Sequence, residues 1–457
     1  MLLPPAENHL ERFMTLSRRN LLTLGVLSTG AALFPQGLRK LYARAEAGQT
    51  VQGAGFGPLV RDPQGILDLP AGFQYRIFSK LGQRMSDGNP VPSLHDGMAA
   101  FPGPNGTTIL IRNHEVYPGL PSGYQSVLAP NNLKYDSLCP GGTTTVIISP
   151  ERTLVKDFVS LAGTYRNCAG GTTPWGSWIS CEENTATPAT PGQHGPVNKP
   201  HGYNFEIPVT ATGPVQPIPL KAMGRFQHEA IVVDPKTNII YQTEDRGDSL
   251  FYRFLPKQVG KLQAGGELQA LRITGYPKSN TRDGFPQRRF FDVEWVTIKD
   301  PDPAVDTVRH QGFDLGAAQF TRGEGICYSN GEIFFTATSG GDKRLGQIWR
   351  YRPGATRDQG GSLELFVESP GKDVLDYPDN LIMAPFGDLI VCEDGEDNLN
   401  RLMGVTPEGK IYTFARNALN DQELAGVCFS PDGQTMFVNI YHPGMTLAIW
   451  GPWSKRG

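Results

Sequence analysis

Glu229-Ala230-Ile231-Val232-Val233 runs into Asp234-Pro235-Lys236-Thr237-Asn238 and returns as Ile239-Ile240-Tyr241-Gln242-Thr243, ending on Glu244-Asp245. Strand formers on both sides of a turn-forming segment spell a β-hairpin. The start of the first strand then lies beside the end of the second. Glu229 and the Glu244-Asp245 pair are therefore expected at one edge, opposite the turn.

The same order recurs along the chain. Glu324-Gly325-Ile326-Cys327-Tyr328 turns at Ser329-Asn330-Gly331-Glu332 into Ile333-Phe334-Phe335-Thr336, and Asp379-Asn380-Leu381-Ile382-Met383 turns at Pro385-Phe386-Gly387-Asp388 into Leu389-Ile390-Val391-Cys392-Glu393-Asp394. Weaker copies run from Asp96-Gly97-Met98 to Glu115, from Trp175 to Glu183, and from Leu424-Ala425-Gly426-Val427 to His442. Third strands follow in at least three units, at Leu250–Phe254, Gln347–Tyr351 and Lys410–Phe414. Repeats of roughly 45–60 residues, each a small antiparallel sheet, are the mark of a β-propeller. The expected fold is all-β, a six-bladed propeller with insertions. In that architecture the first strand of each blade lines a central channel, so polar residues at first-strand starts and second-strand ends meet on one face.

A single Asp or Glu beside a turn ordinarily satisfies backbone N–H groups and stays solvated. Here the acids concentrate at the end opposite the turns, often in pairs, where repulsion is unfavourable without a cation. Composition agrees with the fold: 54 glycines and 38 prolines in 457 residues, with 19% charged residues, describe a turn-rich β protein.

Residues 1–45 are of another kind. Ser17-Arg18-Arg19-Asn20-Leu21-Leu22 opens an apolar run to Phe34, followed by Arg39-Lys40 and Ala43-Arg44-Ala45. This reads as a twin-arginine export signal with a small-x-small cleavage site near Ala45. An ordinary secretory signal or a membrane anchor is the alternative, though about 14 apolar residues is short for a bilayer. Residues 46–457 are then one propeller domain, periplasmic or secreted, with the export machinery as a partner and no stable membrane anchor after cleavage. With the leader removed, 36 basic and 43 acidic residues leave a net charge of −7. That argues against nucleic acid or an anionic membrane as partner and suits a cation-binding protein. Export of an already folded chain suits a metal site assembled inside the cell.

The six cysteines form no C-x-x-C pair and no dense framework. Cys327, Cys392 and Cys428 sit in apolar strands and read as buried hydrophobes. Cys139 and Cys168 leave a disulfide open. In Trp178-Ile179-Ser180-Cys181-Glu182-Glu183, by contrast, a thiolate would be costly beside two carboxylates unless a highly charged cation stabilised it. Cys181 is therefore the expected metal-binding thiol.

His95-Asp96-Gly97-Met98, Arg112-Asn113-His114-Glu115, Gly170-Gly171-Thr172-Thr173-Pro174-Trp175-Gly176-Ser177-Trp178 with Ser180-Cys181-Glu182-Glu183-Asn184, and Gly224-Arg225-Phe226-Gln227-His228-Glu229-Ala230 together resemble the PhoX-type alkaline phosphatases. The resemblance covers nearly the whole chain after the leader. It implies a twin-arginine-exported six-bladed propeller whose cofactors are two thiolate-bridged Fe3+ ions with two or three Ca2+ ions alongside. It also implies a phosphate ester, a phosphomonoester first and a diester second, as substrate. Carried across, it makes Cys181 the bridging thiolate, Glu229 and Glu324 metal carboxylates in the catalytic group, and Arg322 the arginine that grips phosphate. Glu115, Glu182, Glu244, Asp245, Glu393 and Asp394 complete the implied metal ligands. Arg322 and Glu324, two apart on a strand, project to one face, whereas His114 and His228 should point away from it.

Two other classes fit parts of the pattern. A calcium-dependent propeller lactonase would use channel acids without needing the thiol or Arg322, and a non-enzymatic binding propeller would need neither. No G-x-S-x-G elbow, Walker loop, H-E-x-x-H or Rossmann fingerprint is present.

Overall fold

The structure is a computed structural model that describes residues 54–192, 194–395 and 400–455. The expected leader, residues 1–45, lies outside these residues. Among the described residues the regular elements are strands joined by loops, apart from short 3-10 turns and one α-helix, Val308–Asp314. No helix among the described residues is long and apolar enough to cross a membrane.

The strands form antiparallel meanders in a propeller-like arrangement, and each is named here by the first residue of its inner strand. The His95 unit runs His95–Pro102, Thr108–His114, Gly141–Ile148 and Leu154–Thr164. The Asn167 unit has three strands, Asn167–Thr172, Ser177–Glu182 and Asn204–Pro208. The His228 unit runs His228–Val233, Ile240–Glu244, Tyr252–Pro256 and Gly266–Ile273, and the Gly323 unit Gly323–Ser329, Glu332–Ala337, Gln347–Arg352 and Ser362–Glu368. The Pro378 unit comprises Pro378–Met383, Leu389–Glu393, Arg401–Val405 and Ile411–Asn417. Ile411–Asn417 is thus a fourth strand, not the third strand its sequence suggested; Arg401–Val405 intervenes. The Leu424 unit, Leu424–Phe429, Met436–Ile440 and Met445–Trp450, takes its outermost strand, Gln74–Lys80, from the other end of the chain. Inner strands pack on their neighbours in this order, and Leu424–Phe429 returns against His95–Pro102.

Local sequence explains the hairpins. Asn330 and Gly331 hold φ of 51° and 88°, the left-handed pair required by a two-residue turn matched to strand twist. The Asp234 carboxylate accepts the N–H of Lys236 (2.9 Å) and the hydroxyl of Thr237 (2.7 Å), folding its turn around one side chain. Between units lie aromatic cores. Tyr241, Phe251, Phe335 and Trp349 fill the gap between the His228 and Gly323 units. Phe56, Phe73, Phe386, Phe414 and Trp453 fill the one between the Pro378 and Leu424 units. Phe290–Thr297, from a long insertion, bridges the outer strands of the His228 and Gly323 units into one sheet.

Candidate metal centre

Every inner strand begins with the same irregularity. His95 pairs with His114, Asn167 with Glu182, His228 with Glu244, Gly323 with Ala337, Pro378 with Glu393, and Leu424 with Ile440; a register shift follows within a few residues. A bulge of this kind bends the strand and re-aims side chains. The residues at its start are Asp96, Cys168, Glu229, Glu324 and Asp379, with Ala425 in the last unit. Glycine or alanine comes next in every unit but the Pro378 unit, which has Asn380, because the strands crowd together there. A Cβ on Gly97 would lie 2.5 Å from the Ala169 Cα, and one on Gly325 2.4 Å from the Asp379 carbonyl oxygen.

A second set comes from the residue after each second strand. Glu115, Glu183, Asp245, Thr338, Asp394 and Tyr441 donate their N–H groups to the carbonyls of Leu94, Arg166, Gln227, Arg322, Tyr377 and Glu423, each two residues before the bulge. One backbone bond, repeated unit after unit, therefore delivers an inner-strand side chain, a second-strand side chain and the residue two before the bulge to the same rim.

The result is a concentration of anions. Burial pushes the Asp96, Glu183, Glu229, Glu324, Asp379 and Glu423 carboxyls well above the ordinary carboxylate range, and the neighbouring acids add to it. Asp394, nearer solvent, is raised to about 6 by burial, with Glu115 and Asp245 adding to it and Arg322 opposing it. The Cys168 Sγ lies among them. Its thiol donates to the His228 carbonyl at 3.3 Å, and it, a Glu183 oxygen and a Glu229 oxygen are all within 4.8 Å of one another. Burial and the Glu229 charge push this thiol up as well.

Two arginines answer the charge. Arg322 reaches Asp245 (3.0 Å), Asp394 (3.7 Å) and Glu324; Arg166 reaches Glu115 (2.7 Å) and Glu183 (3.3 Å). Both sit two residues before the bulge, with φ of 54° and 56°. The Glu324 charge holds the Arg322 guanidinium firmly protonated, as Glu183 does for Arg166. A cavity of about 410 Å³ opens beside Arg322, lined by Tyr377, Asp394, Asp421, Glu423 and Tyr441. Tyr441 donates its hydroxyl to Glu115.

Of the residues expected from sequence, Glu115, Glu229, Asp245, Arg322, Glu324 and Asp394 meet at this rim. Four do not. Cys181 occupies the register position held elsewhere by Asn113, Thr243, Thr336 and Asn439, whose side chains bond the backbone of the next inner strand. It accordingly packs between units beside Ile179, Ile231 and Phe254 and is not in the thiol–carboxylate group. The thiol in that group is Cys168, and all six cysteines are free. Glu182, Glu244 and Glu393 are each the first member of an acid pair and turn into their own units. Glu182 accepts the N–H groups of Tyr165, Gly202 and Tyr203 and bonds His201. Glu244 accepts the Tyr252 hydroxyl at 2.7 Å and lies 3.8 Å from Arg309; Glu393 is gripped by Arg401 at 2.6 and 2.8 Å. In each pair the second acid, Glu183, Asp245 or Asp394, faces the rim. His114 and His228 point away from it, bonding Ser93 and Thr144 and the Gly224 carbonyl.

Sequence reading missed Asp96, Arg166, Cys168, Glu183, Asp379 and Glu423 as members. The signal was present: acid or thiol followed by a small residue, as in Asp96-Gly97, Cys168-Ala169, Glu229-Ala230 and Glu324-Gly325.

Comparison with known proteins bears on this arrangement. Curated protein sequences give no match. Among solved structures, PhoX of Pseudomonas fluorescens in complex with vanadate, a transition state analogue, superposes with a TM-score of 0.67 at 18% identity, over 87% of this chain and 98% of that one. A protein of unknown function from Bacteroides thetaiotaomicron (TM-score 0.45, 10% identity, 83% and 76% covered) is more distant. So is a periplasmic gluconolactonase of Pseudomonas aeruginosa (0.39, 12%, 80% and 89%), and at such scores neither bears on function. The model of the family described as alkaline phosphatase PhoX matches residues 54–155 and 142–444, a span that holds every inner strand and every acid of the rim. The chain belongs to the alkaline phosphatase PhoX family and is an alkaline phosphatase.

Proposed function

We propose that the chain hydrolyses phosphomonoesters at a multi-metal group held in the channel mouth, and that Cys168, rather than Cys181, is its thiolate. The observation that carries this reading is the approach of the Cys168 sulfur to the Glu183 and Glu229 carboxylates within 4.8 Å. Buried carboxylates raised by burial and by one another are unfavourable unless protonated or bound to cations. The donor set fits the iron and calcium expected for the family: carboxylate oxygens suit Fe3+ and Ca2+, and the thiolate suits a transition metal. Cys168, Glu183, Glu229 and Glu324 would hold iron, and Asp96, Glu115, Asp245, Asp379, Asp394 and Glu423 are the remaining candidates, calcium included. When bound, such ions neutralise phosphate oxygens, acidify a water and stabilise the leaving alkoxide.

The chain's own groups set the rest. Arg322, held beside the cavity by Asp245, presents a planar fork to non-bridging phosphate oxygens. Arg166, fixed between Glu115 and Glu183, keeps two rim acids in place and partly offsets their charge. No Ser or Thr nucleophile is required. Six inner strands of one pattern, closed by the Gln74–Lys80 strand, support a six-bladed propeller over 46–457. The Arg18-Arg19 leader supports twin-arginine export of the folded chain to the periplasm or medium, with cleavage near Ala45.

The test is elemental analysis together with p-nitrophenyl phosphate turnover on protein purified without chelator. Cys168→Ala should lose iron and turnover together, and unchanged iron and activity in that variant would end the reading.

A further inference from the structure

Away from the channel, a second group of ligand-type side chains is wholly buried. Asp136 and Cys139 come from the insertion between Thr108–His114 and Gly141–Ile148. His201 comes from the one between Ser177–Glu182 and Asn204–Pro208. All three side chains are inaccessible to solvent. The His201 Nε2 faces the Cys139 Sγ at 3.3 Å and the Asp136 Oδ2 at 3.5 Å, and the three donor atoms lie within 4.8 Å of one another.

We propose that Asp136, Cys139 and His201 bind one zinc-class divalent ion, a structural site separate from the channel. Three features lead there. First, the spacings suit one tetrahedral centre: bonds of about 2.3 Å to sulfur and about 2.0 Å to nitrogen or oxygen put sulfur and nitrogen about 3.5 Å apart and nitrogen and oxygen about 3.3 Å apart. The separation of 3.5 Å between Nε2 and Oδ2 is long for a direct hydrogen bond but ordinary across an ion.

Second, the supporting bonds have the form found behind metal ligands. The other ring nitrogen of His201 bonds the Glu182 carboxylate at 2.7 Å, which fixes the ring and leaves Nε2 for the ion. The Asp136 carboxylate is oriented by the N–H groups of Leu138 (2.9 Å), Asn198 (2.5 Å) and Lys199 (2.9 Å) and by the Asn198 amide (3.2 Å). Tyr135 and Tyr165 close over the imidazole edge to face, with centroids 5.3 and 5.5 Å away, keeping water out.

Third, the site has structural work to do. It joins two long insertions that share no strand, and Glu182 also accepts the Tyr165 N–H at 2.9 Å. The turn that carries Arg166 to the channel rim is thereby anchored on the metal's histidine. Binding displaces the thiol proton and any proton on Nε2, so uptake falls as pH is lowered.

The experiment uses the whole protein, purified without chelator, as wild type, Cys168→Ala, Cys139→Ser and His201→Gln. Elemental analysis should find one zinc-class ion per chain in the wild type and in Cys168→Ala, and none at this site in Cys139→Ser or His201→Gln, which keep their iron. Cobalt(II) exchanged into Cys168→Ala should give thiolate-to-cobalt charge-transfer absorption that disappears when Cys139→Ser is added. Equal zinc in wild type and Cys139→Ser, or no such absorption in Cys168→Ala, overturns the proposal. Should Cys139→Ser fail to fold, the cobalt spectrum of Cys168→Ala decides by itself. Loss of iron with zinc retained, or the reverse, separates this site from the channel group.

Discussion

The channel rim and the pocket around His201 draw on the same side chains, carboxylates and a thiol, under opposite conditions. At the rim the acids crowd one another, and the side chains nearest solvent, Asp394 and Arg322, are 40% and 32% exposed. Around His201 each carboxylate has its own donors and nothing is exposed. An open set with excess charge is what a reacting centre needs, since substrate must enter and charge must be neutralised there. A closed, saturated set is what a staple needs. The contrast shows why the residue types alone mislead: Glu182 and Glu183 are adjacent in sequence and belong to different regions.

The contrast is broken most severely at Cys168 and Cys181, the second of which is the metal-binding thiol expected from sequence. Cys168→Ala should lower phosphatase turnover by at least about 10³-fold, the several kcal/mol of charge stabilisation that bound metal supplies, while Cys181→Ala should keep both iron and activity. Steady-state kinetics with metal analysis on the pair would reverse the assignment if Cys181→Ala proved the damaging change.

Next come the two rim arginines. Arg322→Ala removes a charged fork from the cavity and should weaken inhibition by inorganic phosphate by roughly 10–100-fold with metal retained. Arg166→Ala should affect phosphate less, because Arg322 and not Arg166 lines the cavity. Equal inhibition constants for wild type and Arg322→Ala would remove Arg322 from substrate binding.

On the closed side, Glu182→Gln replaces a buried charge that holds His201 and three N–H groups. It should cost about 1–3 kcal/mol of stability, measured by chemical denaturation. Burial alone would push the His201 imidazole down, but Glu182 and Asp136 hold it well above its ordinary value, so the loss should be concentrated in the metal-free protein at acid pH. A change of under about 0.5 kcal/mol would place Glu182 among ordinary surface-like carboxylates.

A last effect expected is a pH dependence. Burial raises the Glu244 carboxyl to about 8, against the opposing pull of Arg309. The folded state then binds this proton more tightly than the unfolded state, so Glu244 lowers stability progressively as pH rises from its unfolded value toward 8 and has no effect below both values. Glu244→Gln keeps an acceptor for Tyr252, and its Tm relative to wild type should therefore rise across that interval. A pH-independent difference would count against a buried, proton-holding Glu244.

Much of this was legible in the chain. The turns at Asp234 and at Asn330-Gly331 announced their hairpins because side-chain bonds and left-handed φ are local properties. Glu229 and Glu324 were found because a strand start beside a strand end is a local consequence of a hairpin, whereas Arg322 came from the resemblance of its motif to the phosphatase family. The Asn167–Thr172 strand was not found: Asn-Cys-Ala-Gly-Gly-Thr has little strand propensity, and it forms because neighbouring inner strands close around it. With that strand missing, the hairpin seemed to begin at Trp175, and Cys181 took the place that belongs to Cys168. The acid pairs failed for a related reason. Which member faces the rim depends on the backbone bond from the second acid to a residue before the bulge, and that bond joins positions as far as 21 residues apart, as between Glu115 and Leu94.

Sequence by itself determined that this protein is a repeated β structure, acidic over residues 46–457, with anions gathered at the ends opposite its hairpin turns. Those properties follow from local propensity and from composition, which need no partner. The tertiary structure alone decided which sulfur meets which carboxylates, since that choice rests on a bulge repeated in strands distant along the chain and on the close packing of one inner strand against the next.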